Sequence, residues 1–597
     1  GGVVGAARAA EMAGFERIIG FDMGGTSTDV SHYAGEYERA FETQVAGVRM
    51  RAPMMQIHTV AAGGGSILFF DGQRYRVGPE SAGANPGPAS YRRGGPLTVT
   101  DANVMLGRVQ ADYFPKVFGA EGNERLDYHT VKRQFEELAK RIHDETGDTR
   151  SPEQVAEGFL AIAIDNMANA IREISVRRGY DVTRYTLCAF GGAGGQHVCR
   201  IADALGMTSV FLHPFAGVLS AYGMGLADLR AVREQSVEVR LEDDAITGIE
   251  STLAELAEAG EAEMKAQGLP HSQVRTEHRV HLRYEGTDSS IEIPFAADVD
   301  TMREAFEAAH KQRFGFVMAE KALVVATAVA EVIGETEVPD EPKHELQSEA
   351  AKPLARRPVW AGGRWQNVPF YDRDSIKPGS EVDGPAVILE STGTTVLEPG
   401  WQATMTERLH LVLKRIEALD RDHAIGTEAD PVRLELFNNL YMSIAEQMGA
   451  ALENTAYSVN IKERLDFSCA IFDPDGFLCA NAPHMPVHLG SMGQAVRSII
   501  RTRKDTMKSG DVFAQNAPYN GFSVASRGHH ADIGGKTPGS MPPDSTHIEE
   551  EGVLIDDFLL VDGGEFQEED LTELLGSGRY PTRNVDQNIA DLRAQIA

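Results

Sequence analysis

Apolar and polar positions change rhythm three times along the chain. Up to about residue 230, short β-type runs such as "RIIGFD" and "YTLCAF" alternate with stretches of helical period, the signature of an α/β unit. Val198, Ile201, Ala202 and Leu205 form the apolar stripe of one such helix. Between residues 235 and 415, strand-like runs dominate around one or two helices: "SVEVRLE", "VRTEHRVHLRYEG", "SSIEIPF", "ALVVATAVAEVIG" and "GPAVILESTGTTVLEPGW". The polar, Pro-containing stretch 337–353 reads as a loop or linker. Beyond "RDHAIGTEADPVRL", Asp430 is placed to cap a helix with Pro431 at its first position. Leu434, Phe437, Tyr441, Ile444, Met448 and Leu452 share one face of that helix, expected to be a core face. Hairpins and a Gly/Pro/His-rich segment follow to residue 546, and residues 588–594 read as an amphipathic helix. The divisions expected are therefore 1–232, 233–425 and 426–597.

Composition narrows the function classes. The 597 residues suit three or four domains, and 42% hydrophobic with 24% charged residues is ordinary for a globular protein. A net charge of −31 argues against nucleic-acid or anionic-membrane partners, which need a Lys/Arg excess. Four cysteines cannot make a disulfide framework at this length, and point to a reducing, cytoplasmic setting. In "SCAIFDPDGFLCAN", a turn over 473–476 puts Ala470 opposite Cys479 and Cys469 on the other side of the pleat, so both are expected to be packing thiols. No run approaches the ~20 apolar residues of a membrane span. The opening "GGVVGAARAAEMAG" has neither an initiating Met nor a leader pattern, and both ends read as cut.

Candidate chemistry concentrates at two glycine-rich bends. "GFDMGGTSTDVSHYAGE" lacks the Gly-Lys-Ser/Thr of a Walker loop and the G-x-G-x-x-G of a Rossmann turn, and the run after its glycines is strand-like. This predicts a hairpin whose tip carries Gly24, Gly25 and Thr26, with Thr28 just beyond. Glycines let backbone N–H groups approach phosphate oxygens, threonines add donors, and Asp22 at the strand end suits magnesium or its water. An ordinary tight turn is the competing reading. The second bend, Gly191, Gly192, Gly194 and Gly195, lies between a strand and a helix, which suits an anion or a close-packed nucleotide. "HTVAAGGGSI", "GPESAGANPGPASY" and "TVTDANVMLGR" each read as a loop or cap, the last capped by Thr100 or Asp101. An Asp-x-Gly-Gly-Thr hairpin resembles the phosphate loop of the actin/sugar-kinase/Hsp70-like ATPases.

A third cluster joins His484, His488, His529, His530 and Asp532. Pro486 rules out a helical His-x-x-x-His zinc pair, leaving a loop-built metal site or backbone-bonded histidines.

Over nearly its whole length the chain resembles the hydantoinase/5-oxoprolinase family. "GFDMGGTSTDVSHYAGE", "HTVAAGGGSI", "FGGAGGQHVCRIADALGM", "HPFAGVLSAYGMGLAD" and "RYEGTD" look like its A component. "LFNNLYMSIAEQMGAALENTAYSVNIKERLDFSCAIFD", "HMPVHLGSMG" and "SRGHHADIGGKTPGSMPP" look like the start of its B component. The resemblance implies an actin-like ATPase lobe, then a β-rich α+β domain, then the start of a B-type α+β domain. It implies ATP-driven opening of the lactam of 5-oxo-L-proline to L-glutamate, in glutathione metabolism, through phosphorylation of the lactam oxygen. By it, Gly24, Gly25, Thr26 and Thr28 cradle phosphates, Asp22 or Asp29 serves magnesium, and Gly191, Gly192, Gly194 and Gly195 contact the nucleotide. It also implies a divalent transition metal in the B part, with His529 as a ligand, a small-molecule substrate and a homo-oligomer. Three departures stand out: no preceding lobe, an abrupt passage from Asn520-Gly521 to Ser526, and a B part shorter than the family's. Alternatives are a hydantoinase, an acetone-carboxylase-like subunit, or a nucleotide-binding remnant without turnover.

Overall fold

The computed structural model describes residues 1–596 apart from 46–47, 176–179, 288–289, 315–316, 320, 337–339, 348, 420–430, 463, 474, 483–484, 504–505, 515–523 and 541. It divides into two compact units, the first made of residues 1–230, 264–275 and 333–436, the second of 231–263, 276–332 and 437–597.

The first unit is organised by an eight-stranded mixed sheet. Its strands are β1 (Ile18–Met23), β2 (Thr28–Tyr33), β3 (His58–Val60), β4 (Thr186–Phe190), β5 (Ser209–Leu212), β6 (Glu381–Asp383), β7 (Trp401–Met405) and β8 (Leu411–Arg415), in the order β6-β7-β8-β5-β4-β1-β2-β3. β1, β4 and β5 are parallel, with Ile18 opposite Thr186 and Leu187 opposite Val210. β1 and β2 form the hairpin expected from the sequence, in register from Ile18↔Tyr33 to Met23↔Thr28. Strands from residues 381–415 complete this sheet through β8, where Leu411 pairs with Leu212. The change of texture near residue 233 is therefore no edge of the sheet.

Both faces of β1 are covered, which is why "IIGFDM" is almost continuously apolar. Ile19, Phe21 and Met23 enter the main core, and Ile18 enters a smaller cluster with the alanines of α1 (Gly2–Met12). Period-two alternation thus puts Asp22 on the α1 side, with Ile18 and Gly20. The main core is built on α2 (Val99–Met105), α3 (Pro152–Ile174) and α4 (Val198–Leu205). α3 starts with a Ser151/Gln154 capping box and Pro152 in its first turn. α1 lies close against α5 (Leu219–Gly225), because a Cβ on Gly223 would fall 2.3 Å from the nitrogen of Gly5. A four-stranded sheet, Ala355–Ala361, Arg364–Asp372, Ala386–Leu389 and Thr394–Leu397, completes this unit.

In the second unit, a sheet of Leu229–Arg240, Leu323–Gly334, Val274–Tyr284 and Ile291–Pro294 is covered by helices Asp243–Ala266 and Val299–Phe314. "ALVVATAVAEVIG" is the strand that its β-branched run predicts. Smaller sheets and helices follow to Val585–Ile596, the terminal helix.

Two expectations are corrected. Helix α6 (Pro431–Thr455) begins where expected, although Asp430 lies outside the described residues, but its apolar stripe is a core face only toward its C-terminal end, where Met448 packs against the cluster that holds Leu452. Leu434, Phe437 and Tyr441 are exposed, while Val432, Glu435, Ala445 and Leu452 are buried. Glu435 pairs with Arg76 at 2.7 Å and Arg74 at 3.3 Å, and these ion pairs turn the first part of the helix away from its most apolar side. In the hairpin Phe467–Phe472/Leu478–Asn481, Ala470 faces Asn481 rather than Cys479. A bulge between Ile471 and Phe472 shifts the register. Both thiols are free; Cys469 is buried and packs as expected, whereas Cys479 is exposed, so the packing role expected for it is not met. No helix among the described residues is long and apolar enough to cross a membrane.

Burial pushes the Cys469 thiol up to about 11 and raises Cys188 and Cys199 as well. Ellman's reagent is expected to modify only Cys479 rapidly in the native protein and all four cysteines in denaturant. Rapid modification of more than one native thiol contradicts the packing described.

Candidate functional site

The three parallel strands β1, β4 and β5 end on one edge of the sheet, the edge at which open α/β sheets bind ligands. β1 runs into Gly24-Gly25, β4 into Gly191–Gly195, and β5 into the segment that starts at His213.

At the hairpin tip, Gly24 N–H donates to Ser27 O at 3.1 Å, while the N–H groups of Gly25 and Thr26 have no partner among the described residues. Both residues are exposed. Behind the tip lies Gly63–Gly65, whose glycines are required by close approach. Gly64 and Gly65 donate to the carbonyls of Gly24 and Gly25 at 3.1 and 2.6 Å, and a Cβ on Gly63 would sit 2.5 Å from the Thr26 carbonyl carbon. Thr100 N–H donates to Gly64 O at 2.8 Å, tying α2 to the same loop. The cap of α2 is Thr98, with Asp101 in the reciprocal position of a capping box, so the cap expected at Thr100 or Asp101 is displaced. Asp101 also accepts from Ala89 and Ser90 N–H, 2.9 Å each. Thr28 is buried, and its hydroxyl donates to Ala62 O at 2.5 Å, so it braces the loop behind the tip.

The second bend meets the first. Gly191 has φ +79°, and a Cβ on it would fall 2.4 Å from Asp22 Oδ1 and 2.5 Å from Met23 O. Ala193 N–H donates to Met23 O at 3.1 Å. Gly192 is exposed, whereas Gly194 and Gly195 are buried. A Cβ on Gly195 would meet Thr395 Oγ1 at 2.6 Å, so that glycine permits packing against Thr394–Leu397. Beneath the turn, buried Arg108 donates to Gln196 O at 2.9 Å and pairs with Glu398 at 2.7 Å.

Asp22 and Asp29 are direct cross-strand neighbours on one sheet face. Thr59 Oγ1 donates to Asp29 at 2.6 Å, and Ser220 Oγ to Asp22 at 3.4 Å. Burial and then the charge of Asp29 raise the Asp22 carboxyl above its ordinary value. Two adjacent carboxylates with that perturbation are oxygen donors suited to a hard divalent cation such as magnesium.

Sequence reasoning missed the segment after β5. Ala216 O accepts from Gly191 N–H at 3.0 Å, and Ser220 reaches Asp22. His213, Tyr222, Glu341 and His410 also gather here: His213 Nε2 and His410 Nε2 each lie 2.7 Å from a Glu341 carboxylate oxygen. Among the described residues, His213, Glu341 and His410 are the one group of three or more His, Cys, Asp or Glu side chains whose ligand atoms all lie within 4.8 Å of one another. "HPFAGVLSAYG" gave no chemical signal, and Glu341 falls in the stretch expected to be a linker.

In the second unit, His529 Nδ1 lies 2.9 Å from Asp466 Oδ2 and His488 Nε2 3.3 Å from Asp466 Oδ1, with Ser468 at 3.0 Å from His488 Nδ1. These converge on Asp466 without closing into a mutual ligand set. His484 lies outside the described residues. His530 bonds Asn588 and Gln595 at 2.8 and 2.9 Å, and Asp532 bonds Gly534, Gly539 and Arg583, so both hold the fold together.

Comparison with known proteins matches residues 1–233 to Hydantoinase/oxoprolinase, 238–416 to the Hydantoinase/oxoprolinase C-terminal domain, and 430–523 and 521–597 to Hydantoinase B/oxoprolinase. The 5-oxoprolinase of Dictyostelium discoideum is 41% identical over 97% of this chain and 47% of its own length. 5-Oxoprolinase 1 of Arabidopsis thaliana is 39% identical over 100% of this chain and 50% of its own. That alignment spans 640 positions, so the relative has residues without a counterpart here. The chain spans about half the length of these curated relatives. Among solved structures, the ATP-dependent caprolactamase of Pseudomonas jessenii aligns with TM-score 0.63 at 28% identity, over 69% of this chain and 60% of that one. A nucleotide-free acetone carboxylase aligns with TM-score 0.54 at 25% identity, over 70% and 60%.

The geometry of the two bends sets two expected outcomes. Gly191→Ala is expected to lower unfolding stability by about 2–3 kcal/mol in urea titrations, because strain at positive φ adds to the clash with Asp22. Gly25→Ala, with open space around its Cβ, is expected to cost under about 1 kcal/mol. Because the folded-state Asp22 carboxyl is raised, its ionisation opposes folding at neutral pH, and that penalty fades as pH falls through the folded value. Asp22→Asn is therefore expected to melt slightly higher than the parent at pH 7 in the absence of divalent cations, with the gap closing in acid. Equal melting at both pH values contradicts the assignment.

Proposed function

Because the chain belongs to the hydantoinase/oxoprolinase family, we propose that it carries the nucleotide-handling part of an ATP-dependent 5-oxoprolinase, the whole protein opening the lactam of 5-oxo-L-proline to L-glutamate. The observation that carries this reading is the contact of Gly191 with Asp22, which joins two glycine bends in a chain about 40% identical to 5-oxoprolinases.

Lactam resonance makes the ring carbonyl a poor electrophile toward water. Transfer of the γ-phosphoryl group to the lactam oxygen, with ADP departing, draws electrons from the ring carbon. Water then adds there, and the ring C–N bond breaks to leave an acyl phosphate and a free amine. A second water releases phosphate and leaves the side-chain carboxylate of glutamate. Catalysis of such a transfer is largely positioning and charge stabilisation. In this reading the free N–H groups of Gly25 and Thr26 face phosphate oxygens, as the unpartnered donors of a rigid turn. Gly24 and Gly63–Gly65 keep the tip thin enough for that approach. Asp22 and Asp29 would hold magnesium, which would supply charge neutralisation at the phosphates. Gly192 lies open beside them, where a side chain would crowd the nucleotide, and Thr28 acts from behind through Ala62. The edge of parallel strands and the hairpin tip support an actin-like description of the lobe, within a division at 1–232, 233–425 and 426–597. A transition metal in the B part would draw on His529, with Asp466 and His488 beside it.

A second reading, ring opening of another cyclic amide, is favoured by the likeness to the caprolactamase. Supplying the full-length protein with ATP, magnesium and, in turn, 5-oxoproline, caprolactam or hydantoin separates the two. Glutamate and phosphate released together, with 5-oxoproline alone, is the expected result. Turnover only with another cyclic amide, or with none, overturns the assignment. Asp22→Asn in that protein is expected to reduce kcat by at least about a hundredfold and to raise the magnesium requirement.

A further inference from the structure

The stretch expected to be a linker is anchored at several points, and Glu341 carries the densest set of side-chain hydrogen bonds. Glu341 accepts three hydrogen bonds: from His213 Nε2 at 2.7 Å and Tyr222 OH at 3.1 Å on Oε1, and from His410 Nε2 at 2.7 Å on Oε2. The His213 ring stacks on Tyr222 at 4.9 Å and lies 5.2 Å from His410. Arg408 donates to the Glu341 carbonyl at 2.6 Å and pairs with Asp340 at 3.1 Å. Lys343 pairs with Glu407 at 2.7 Å. Arg373, paired with Glu390 at 3.0 Å, donates to Leu212 O and Leu409 O and so fixes the strand ends that carry both histidines. Burial works against the charge of Glu341, yet the two imidazole hydrogen bonds hold its carboxyl far below the usual range. Burial likewise keeps His213 low, so it donates as a neutral imidazole.

The same three side chains lie close enough to share a metal ion, but the proton positions speak against one. Phe215 N–H donates to His213 Nδ1 at 3.0 Å. A neutral imidazole with its lone pair on Nδ1 carries its proton on Nε2, and that N–H points at Glu341 and offers no lone pair to a metal.

The clamp closes both ends of one short segment. His213 directly follows β5 and Tyr222 lies in α5; between them Ala216 O accepts from Gly191 N–H and Ser220 reaches Asp22. Gly217 is held so tightly that a Cβ on it would fall 2.1 Å from Thr392 Oγ1. We propose that Glu341 is a positioning residue, whose carboxylate locks the segment 213–222 against Asp22 and Gly191. Its consequence for catalysis rests on the nucleotide reading of that edge; the locking itself does not.

The test compares the full-length protein with its Glu341→Gln and Tyr222→Phe variants. Glu341→Gln keeps shape but leaves one of the three donors facing an amide N–H₂. Hydrogen–deuterium exchange without nucleotide is expected to quicken at least about tenfold in peptides covering 213–222 and 189–195, with Tyr222→Phe showing a smaller increase and peptides from 276–332 unchanged. The KM for ATP is expected to rise about tenfold or more while that for the cyclic amide holds. Unchanged exchange in 213–222, or an increase spread evenly over the chain, overturns the proposal. Quickened exchange in a protein whose parent binds no ATP upholds the lock and overturns the nucleotide reading. Stoichiometric zinc or manganese in the parent, lost in His410→Gln, overturns the hydrogen-bonded clasp.

Discussion

The site depends on a side chain that is absent. At Gly191 the chain leaves β4 with a positive φ and passes within 2.4 Å, measured from where a Cβ would be, of the Asp22 carboxylate. Any larger residue pushes the second bend off the first. Parallel pairing of β1 with β4 sets the two strand ends level, and the missing Cβ lets the bends they lead into touch. The rest is arranged around that contact: Gly63–Gly65 backs the hairpin tip, Arg108 and Glu398 hold the turn from beneath, and the segment after β5 closes over Asp22.

Charge is distributed to match. The protein is strongly acidic overall, and the edge places Asp22 and Asp29 side by side, so an anionic ligand is disfavoured there without a cation. Backbone N–H groups at the tip supply neutral donors, and a hard cation between carboxylates and phosphates would reconcile the two. Glu341 handles its own charge differently, by taking hydrogen bonds from two imidazoles and a phenol in a nearly buried pocket.

Legibility in the sequence was local. The β1–β2 hairpin, the glycine turn before α4 and the strand "ALVVATAVAEVIG" each arise from a run of about six to twelve residues whose pattern and breakers agree. Membership of the family was legible because many short motifs stand in order. Contacts between distant segments were not. Nothing in "HPFAGVLSAYG" signals that Ser220 meets Asp22, and Glu341 sits in a polar stretch without periodicity. Where one residue outweighed a pattern, the pattern misled: ion-paired Glu435 turned the start of α6 away from its apolar stripe, and one bulge moved Cys479 out of register with Ala470. Thr28 looked like a phosphate donor because hydroxyl residues at a tip usually are exposed; here the register turns it inward to Ala62.

If the two bends together hold a nucleotide's phosphates, a crystal structure of the full-length protein with a non-hydrolysable ATP analogue and manganese will show it, because manganese can be located by its anomalous signal. The metal is expected between Asp22 and Asp29, with phosphate oxygens within hydrogen-bond distance of the Gly25 and Thr26 N–H groups. Analogue and metal bound at another edge, with the 24–26 tip facing solvent, would refute the assignment of these bends to phosphate binding.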